Sequence, residues 1–294
     1  MPIQSEIALD AGHGMAVART LRALRQKRPL VHSITNLVVN NSTANALLAI
    51  GASPAMVVAE QEAAAFARIA DSLVINLGTI TAPDARAMAL AAEAAREAGT
   101  PWVMDPVAVG ALAYRSNVAV ELLAHRPAAI RGNASEILAL AGLVDPGAGG
   151  SAASGRGVDS AHETETALEA AQGLARRTAS VVTVSGAVDL CTDGARLMRI
   201  GNGHPMMTRV TGLGCTATAL LGACLAVEPD ALLASAHATV LIGVAGELAA
   251  ERSRGPGSLQ LELLDALFLL DDATLETRTR LEVQAGPDAA GAPA

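Results

Sequence analysis

"PLVHSITNLVVNNSTANALLAIGASPAMVV", residues 29–58, carries a strand, a helix and a strand in thirty residues. "LVHSITN" (30–36) is short and apolar and predicts an extended start that closes on the polar Asn36. "STANALLAIG" (42–51) spaces its apolar residues as a helix does and ends on the glycine that stops one. "PAMVV" (54–58), with Met56 inside it, is again a short apolar run and predicts a second buried strand.

The alternation continues outward. "SLVINLG" (72–78), "PWVMDP" (101–106) and "SVVTVSG" (180–186) read as buried strands. "APDARAMALAAEAAREAG" (82–99) reads as a helix, with proline near its start and glycine at its end. "PAAIRGNASEILALAG" (127–142) predicts a short strand, a turn and a helix, with Asn133 as N-cap and Glu136 three residues on. "TETALEAAQGLARRT" (164–178) is helical, "AVDLCTDG" (187–194) and "ARLMRIGNG" (195–203) are strands, and Asp193–Gly194 is a hairpin turn between them. From Gly214 to about Leu270 the pattern is mostly helical. Alternating strands and helices imply one three-layer α/β/α domain over residues 1–294, with a central, mainly parallel sheet. Residues 1–14, 285–294 and the Gly/Ser/Ala-rich stretch 145–160 are expected to be flexible.

Composition narrows the function. Hydrophobic residues are 51% and charged residues 17% of the chain, which suits a packed enzyme-sized core. Aromatics are only Trp102, Tyr114, Phe66 and Phe268, so that core must be aliphatic and alanine-rich. A net charge of −8 with no basic stripe argues against nucleic acid. No uninterrupted run of about 18 apolar residues marks a membrane span, and the first residues lack the pattern of a secretion signal. Three sparse cysteines without metal spacing fit a reducing, cytoplasmic setting.

In parallel α/β sheets ligands bind beyond the carboxyl ends of the strands. Asn36, Asn76, Gly78, Thr79, Asp105, Arg131, Glu136 and Ser185 all fall there. The remaining candidate is "VTGLGCTATALLGACLAVEP" (210–229), where Gly212, Gly214 and Cys215 open an apolar helix. Three readings stand: a plain turn, a nucleophilic thiol, or an anion cradle built from free backbone N–H groups and the helix dipole. A cysteine at that position is expected to have a depressed pKa. Asp105 and Glu136 suit Mg²⁺, or else Glu136 only closes a capping box and Asp105 only a turn. Arg131 suits a phosphate clamp.

Taken in order, residues 29–58, "LVINLGT", "DPVAVGA", "AAIRGNASEI", "TRVTGLGC" and "GPGSLQLELLDAL" resemble the hydroxyethylthiazole kinase family of thiamine salvage, over about residues 20–270. The resemblance implies a ribokinase-like fold and a homotrimer with active sites at subunit interfaces. It implies transfer of the γ-phosphate of ATP, with Mg²⁺, to the hydroxyl of 4-methyl-5-(2-hydroxyethyl)thiazole. By the same resemblance Met56 and Gly212 contact the thiazole, as do Asn36 and, with weaker correspondence, Gly78 and Thr79. Arg131 and Ser185 contact ATP, with Ser185 standing where the family usually has threonine. Asp105 and Glu136 organise metal and phosphates. Sugar kinases of that fold carry G-x-G-D at the turn, where this chain has Cys215 after Gly214. The implied roles are an anion hole at 211–215 and a contact between Cys215 and the acceptor hydroxyl.

Overall fold

A computed structural model describes residues 11–146 and 160–284. Much of the stretch 145–160, residues 285–294 and residues 1–10 lie outside the described residues; the helix α1 (Ala11–Lys27) begins immediately after them. One nine-stranded sheet organises the chain. β1 (Leu30–Ile34), β2 (Ser53–Ala55), β3 (Ser72–Asn76), β4 (Trp102–Asp105), β5 (Ala129–Asn133) and β6 (Val181–Ser185) are parallel, in the order β2-β1-β3-β4-β5-β6. β7 (Asp189–Thr192), β8 (Leu197–Ile200) and β9 (Leu281–Gln284) extend it antiparallel.

The strands are apolar on both faces because both faces are covered. Val31, Val74, Val103, Ala129 and Val181 point into one core, with helices α1, α2 (Asn40–Ile50), α8 (Leu213–Leu225), α9 (Ala231–Arg252), α10 (Pro256–Leu269) and α11 (Asp272–Arg278). Leu73, Ile75, Trp102, Met104, Ile130 and Val182 point into the other, with α3 (Glu60–Ile69), α4 (Ala82–Ala98), α5 (Ala113–Leu123), α6 (Ala134–Val144) and α7 (Ser160–Thr178). Among the described residues α9 alone is long and apolar enough to cross a membrane. Of its apolar window 78% is buried inside the fold, as for a core helix packed between α8 and α10.

The local signals fall where the sequence puts them. Thr81 and Asp84 form a capping box at α4, and Asn133 and Glu136 form one at α6. Gly51 and Gly99 end α2 and α4 in left-handed conformation. "PAMVV" differs: β2 stops at Ala55, and Met56 to Val58 leave the ladder. Among the described residues β2 is an edge strand with β1 as its sole partner, and the pairing ends at His32↔Ala55. A side chain takes over there, with His32 Nε2 2.7 Å from the Val57 carbonyl oxygen. The sequence reading contains neither α11 nor β9.

α8 lies close against the sheet. A Cβ on Gly222 would stand 2.4 Å from Val74 Cγ2 and 3.5 Å from Val31 Cγ1. Helix propensity alone makes Gly222→Ala stabilising by about 1 kcal/mol. The overlap with two β-branched side chains rooted in the sheet opposes this and costs about 1–3 kcal/mol. Thermal unfolding of Gly222→Ala is therefore expected to show a lower Tm than the parent chain; a higher Tm would show that α8 has room to move off the strands.

Candidate active site

Strand register brings the site together. Asn76 in β3 stands beside Asp105 in β4, and Asn133 in β5 beside Ser185 in β6. Asn36 follows β1, so Asn36, Asn76, Asp105, Arg131 and Ser185 form a row along the carboxyl edge of the sheet. Asn36 Nδ2 donates to Asn76 Oδ1 at 2.8 Å, and Asn76 Nδ2 donates to Asp105 Oδ2 at 2.7 Å. Thr218, one turn inside α8, donates to the same Asp105 oxygen at 2.9 Å. Arg131 Nη1 donates to the carbonyl of Gly214 at 3.0 Å. The amino end of α8 is thus fastened to β4 and β5.

That amino end is bare. Gly212 precedes α8 in left-handed conformation at φ 80°, and no side chain caps the helix. A Cβ at Gly212 would sit 2.2 Å from Val39 Cγ1, so glycine is required by contact as well as by backbone angle. By contrast α4, α6, α9 and α11 are each capped by a side chain. Free N–H groups and dipole at α8 favour an anion. Arg131 adds fixed positive charge: it is buried and its Nε has no hydrogen-bond partner. Arg131, Ser185, Gly212 and Gly214 line a cavity of about 1450 Å³, whose far wall includes Asn202, Gly203, Glu247 and Arg280.

Met56, Asn36, Gly78, Thr79 and Cys215 lie outside that cavity lining. Cys215 Sγ receives Asn36 Nδ2 at 3.5 Å. Gly78 packs behind Asn36, where a Cβ would be 2.8 Å from the Asn36 amide nitrogen. Exposed Thr79, at φ 45°, accepts the Leu37 N–H on Oγ1 at 3.0 Å. Met56, just past the end of β2, is half-buried. The arrangement is two-sided: Arg131, Ser185 and the cavity lie on the β5–β8 side of the "GLGC" turn, and the Asn36 loop lies outside that lining.

The acids divide similarly. Burial pushes the Asp105 carboxyl up to about 6, with Arg131 opposing and Glu136 adding to the rise. Glu136 serves α6 and its neighbour at once, accepting Asn133 N–H on Oε2 and Ala108 N–H on Oε1, both at 2.9 Å. The capping reading of Glu136 is realised; two hydrogen bonds still leave a carboxylate free lone pairs. Among the described residues no three His, Cys, Asp or Glu side chains cluster as a complete metal cage. Neither Asp105 nor Glu136 lines the cavity beside Arg131, and both are oxygen donors of the kind a hard cation takes.

One expectation is overturned. Cys215 was expected to be acidified by the helix amino end, yet its thiol is pushed up to about 11. Burial is the largest cause and the Asp105 charge the next, and together they outweigh the hydrogen bonds from Asn36 and Asn76 and the charge of Arg131. Sequence reading also missed Thr218 and Asp189. Asp189 lines the cavity beside Ser185, accepts the Gly186 N–H at 2.9 Å, and has its carboxyl pushed up to about 6 by burial. No sequence signal marks either: one is a threonine inside a helix, the other the first residue of an antiparallel strand.

A carboxyl whose folded pKa is raised from 3.8 to about 6 weakens the fold as pH rises through that value. At about 1.4 kcal/mol per unit, the buried Asp105 charge costs about 3 kcal/mol at pH 8. Asp105→Asn keeps an oxygen for Asn76 and Thr218 without the charge. In nucleotide-free protein it is expected to raise Tm by a few degrees at pH 8, with the gain shrinking toward pH 4.5. An equal Tm difference at both pH values would mean that Asp105 is not charged at a cost in the fold.

Residues 21–273 match the hydroxyethylthiazole kinase family. The hydroxyethylthiazole kinase of Granulibacter bethesdensis is 63% identical over 260 residues, spanning 88% of this chain and 92% of that one. The enzyme of the same name from Escherichia coli O1:K1 is 51% identical over 253 residues, 86% of this chain and 94% of its own. The solved hydroxyethylthiazole kinase from Pyrococcus horikoshii OT3 superposes with a TM-score of 0.83 at 39% identity, covering 92% of this chain and 99% of that one. A pyridoxal kinase from Staphylococcus aureus, in complex with AMP-PCP and pyridoxal, is 14% identical with a TM-score of 0.59, covering 87% and 98% of the two chains, and shows the shared ribokinase-like fold alone. With its sheet order, its "GLGC" helix and these relatives, the chain belongs to the hydroxyethylthiazole kinase family.

Proposed function

We propose that this chain transfers the γ-phosphate of ATP to the hydroxyl of 4-methyl-5-(2-hydroxyethyl)thiazole, yielding the thiazole phosphate of thiamine biosynthesis and salvage. The observation that carries the reading is the uncapped amino end of α8 beside a buried arginine with an unpartnered Nε, both opening on one cavity. Family membership supplies the acceptor. The nucleotide lies on the β5–β8 side, with Ser185 and Arg131 toward its phosphates. The acceptor lies on the Asn36 side, among Met56, Asn36, Gly78 and Thr79, with Gly212 between the two.

Transfer is direct and in line. Arg131 and the backbone N–H groups at the start of α8 hold the phosphoryl oxygens as charge moves onto them. Asp105 and Glu136 would hold Mg²⁺, which supplies charge neutralisation on the phosphates. Cys215 faces the acceptor hydroxyl as a protonated thiol at neutral pH, given its raised pKa. Loose phosphoryl-transfer transition states need little base assistance, so positioning by Cys215 suffices.

We also propose a cytoplasmic homotrimer whose site is completed at a subunit interface. Leu37 and Val38, directly after Asn36, are 81% and 62% exposed, and Leu48 on α2 is 59% exposed. Three large aliphatic side chains open to water at the rim of the acceptor side suit burial by a second copy of the chain. Sedimentation equilibrium is expected to give a trimer, and Leu37→Asp with Val38→Asp to give monomer with its Tm kept and acceptor KM raised. A monomeric parent chain would remove this proposal.

The decisive assay is ADP release from Mg·ATP with the hydroxyethylthiazole, hydroxymethylpyrimidine or pyridoxal. Thiazole-dependent release is expected; release with another acceptor alone would keep the phosphate side and overturn the acceptor assignment. Cys215→Asp is expected to retain or raise turnover. Its abolition, together with complete loss of rate on alkylating the thiol, would instead mean that Cys215 is a covalent nucleophile.

A further inference from the structure

The geometry points to Asn76 as a positioning residue: it locks Asn36 so that an amide N–H, and not an amide oxygen, faces Cys215. This role rests on the phosphoryl-transfer reading above.

Asn76 is absent from the cavity lining, yet it is 1% exposed and both polar atoms of its amide are hydrogen-bonded. The direction of the chain is set at both ends. A carboxylate only accepts hydrogen bonds, so Asp105 requires the Asn76 nitrogen on its side. The Gly78 backbone N–H, 2.9 Å from Asn76 Oδ1, requires the oxygen on the other. A backbone donor cannot be reversed, so the Asn76 amide has one orientation.

Asn36 inherits that orientation. Its nitrogen must face Asn76 Oδ1, 2.8 Å away. Its oxygen accepts the Val38 and Val39 N–H groups at 3.0 and 3.2 Å, two more donors fixed in the backbone. The second hydrogen on Asn36 Nδ2 is left for Cys215 Sγ at 3.5 Å. The sulfur accepts from Asn36, so its own S–H is not spent on that amide and is left for the acceptor. With either amide turned over, an oxygen would face the sulfur, the thiol would donate to it, and the S–H would be withdrawn from the acceptor. Asn76 makes that turn impossible, and so sets the face that Asn36 turns to Cys215, beside its own polar contact with the thiol.

The test uses the full chain with Asn76→Ala. Misplacing a group at the reacting centre by about 1 Å costs about 10²-fold in rate. The expected result is a kcat lowered between about 10- and 100-fold, KM for Mg·ATP within about twofold, and a chain still folded at the assay temperature. A second readout follows Cys215 itself: iodoacetamide labelling, located by peptide mass, is expected to change in rate several-fold. Cys191 and Cys224 are buried and do not compete. Unchanged kcat and unchanged labelling would overturn the role, as would a rise in the Mg·ATP KM alone. Should Asn76→Ala not fold, NMR of the parent chain decides: alkylating Cys215 is expected to shift the Asn36 side-chain amide signals, and no shift would overturn the contact. A parent chain without thiazole-dependent turnover would instead overturn the phosphoryl-transfer reading, while labelling and NMR still report on the Asn36 lock.

Discussion

The hydrogen bond from Thr218 to Asp105 joins the helix that carries the "GLGC" turn to the middle of the sheet. The amino end of α8 has no side-chain cap, although Thr216 donates to the Gly212 carbonyl from both its N–H and its hydroxyl. α8 is held instead from below, by Thr218 on Asp105, by Arg131 on the Gly214 carbonyl, and by the close seat of Gly222 on Val74 and Val31. Each of these anchors comes from a strand distant in sequence. The free N–H groups that an anion needs are therefore stationary before any anion arrives, which is the condition for electrostatic preorganisation.

The same anchors explain why buried charge is tolerated. Asp105 and Asp189 each have carboxyls pushed up to about 6 by burial, and Arg131 acts on both in the opposite sense. Arg131 is itself buried with Nε unpartnered. A fold selected for stability alone would cap α8 with serine or aspartate and replace this cluster with aliphatic side chains. Side chains cap α4, α6, α9 and α11, whereas α2, α3 and α5, like α8, begin without one. Of the buried side-chain atoms without a partner among the described residues, Arg131 Nε is the one whose residue lines the cavity.

The fold was legible because its signals are local. Short apolar runs ended by glycine or polar residues marked β1, β3, β4, β5 and β6, and the spacing Asn133 to Glu136 marked the start of α6. β9 was missed because "LEVQ" becomes a strand only by pairing with β8, 81 residues earlier at the register Ile200↔Leu281. "PAMVV" was overextended because sequence cannot tell an edge strand from a central one. At the site, the strand-end rule placed Asn36, Asp105, Arg131 and Ser185 at the right edge, but it is silent on contacts across strands. Thr218 and Asp189 became visible only when α8 and β7 were laid against the sheet. The acidity of Cys215 went wrong for a related reason: the helix end is a local feature, whereas burial and Asp105 are tertiary ones.

Those tertiary terms change what a cysteine at this turn can be. At neutral pH the side chain at this turn is a thiol and not a thiolate. A thiol held neutral by burial and by Asp105 leaves the helix dipole and Arg131 to the phosphate. It still presents a small, polarisable atom to the acceptor. The raised pKa of Cys215 and the anchoring of α8 are then two consequences of one arrangement, in which buried Asp105 holds Thr218 and acts on the thiol.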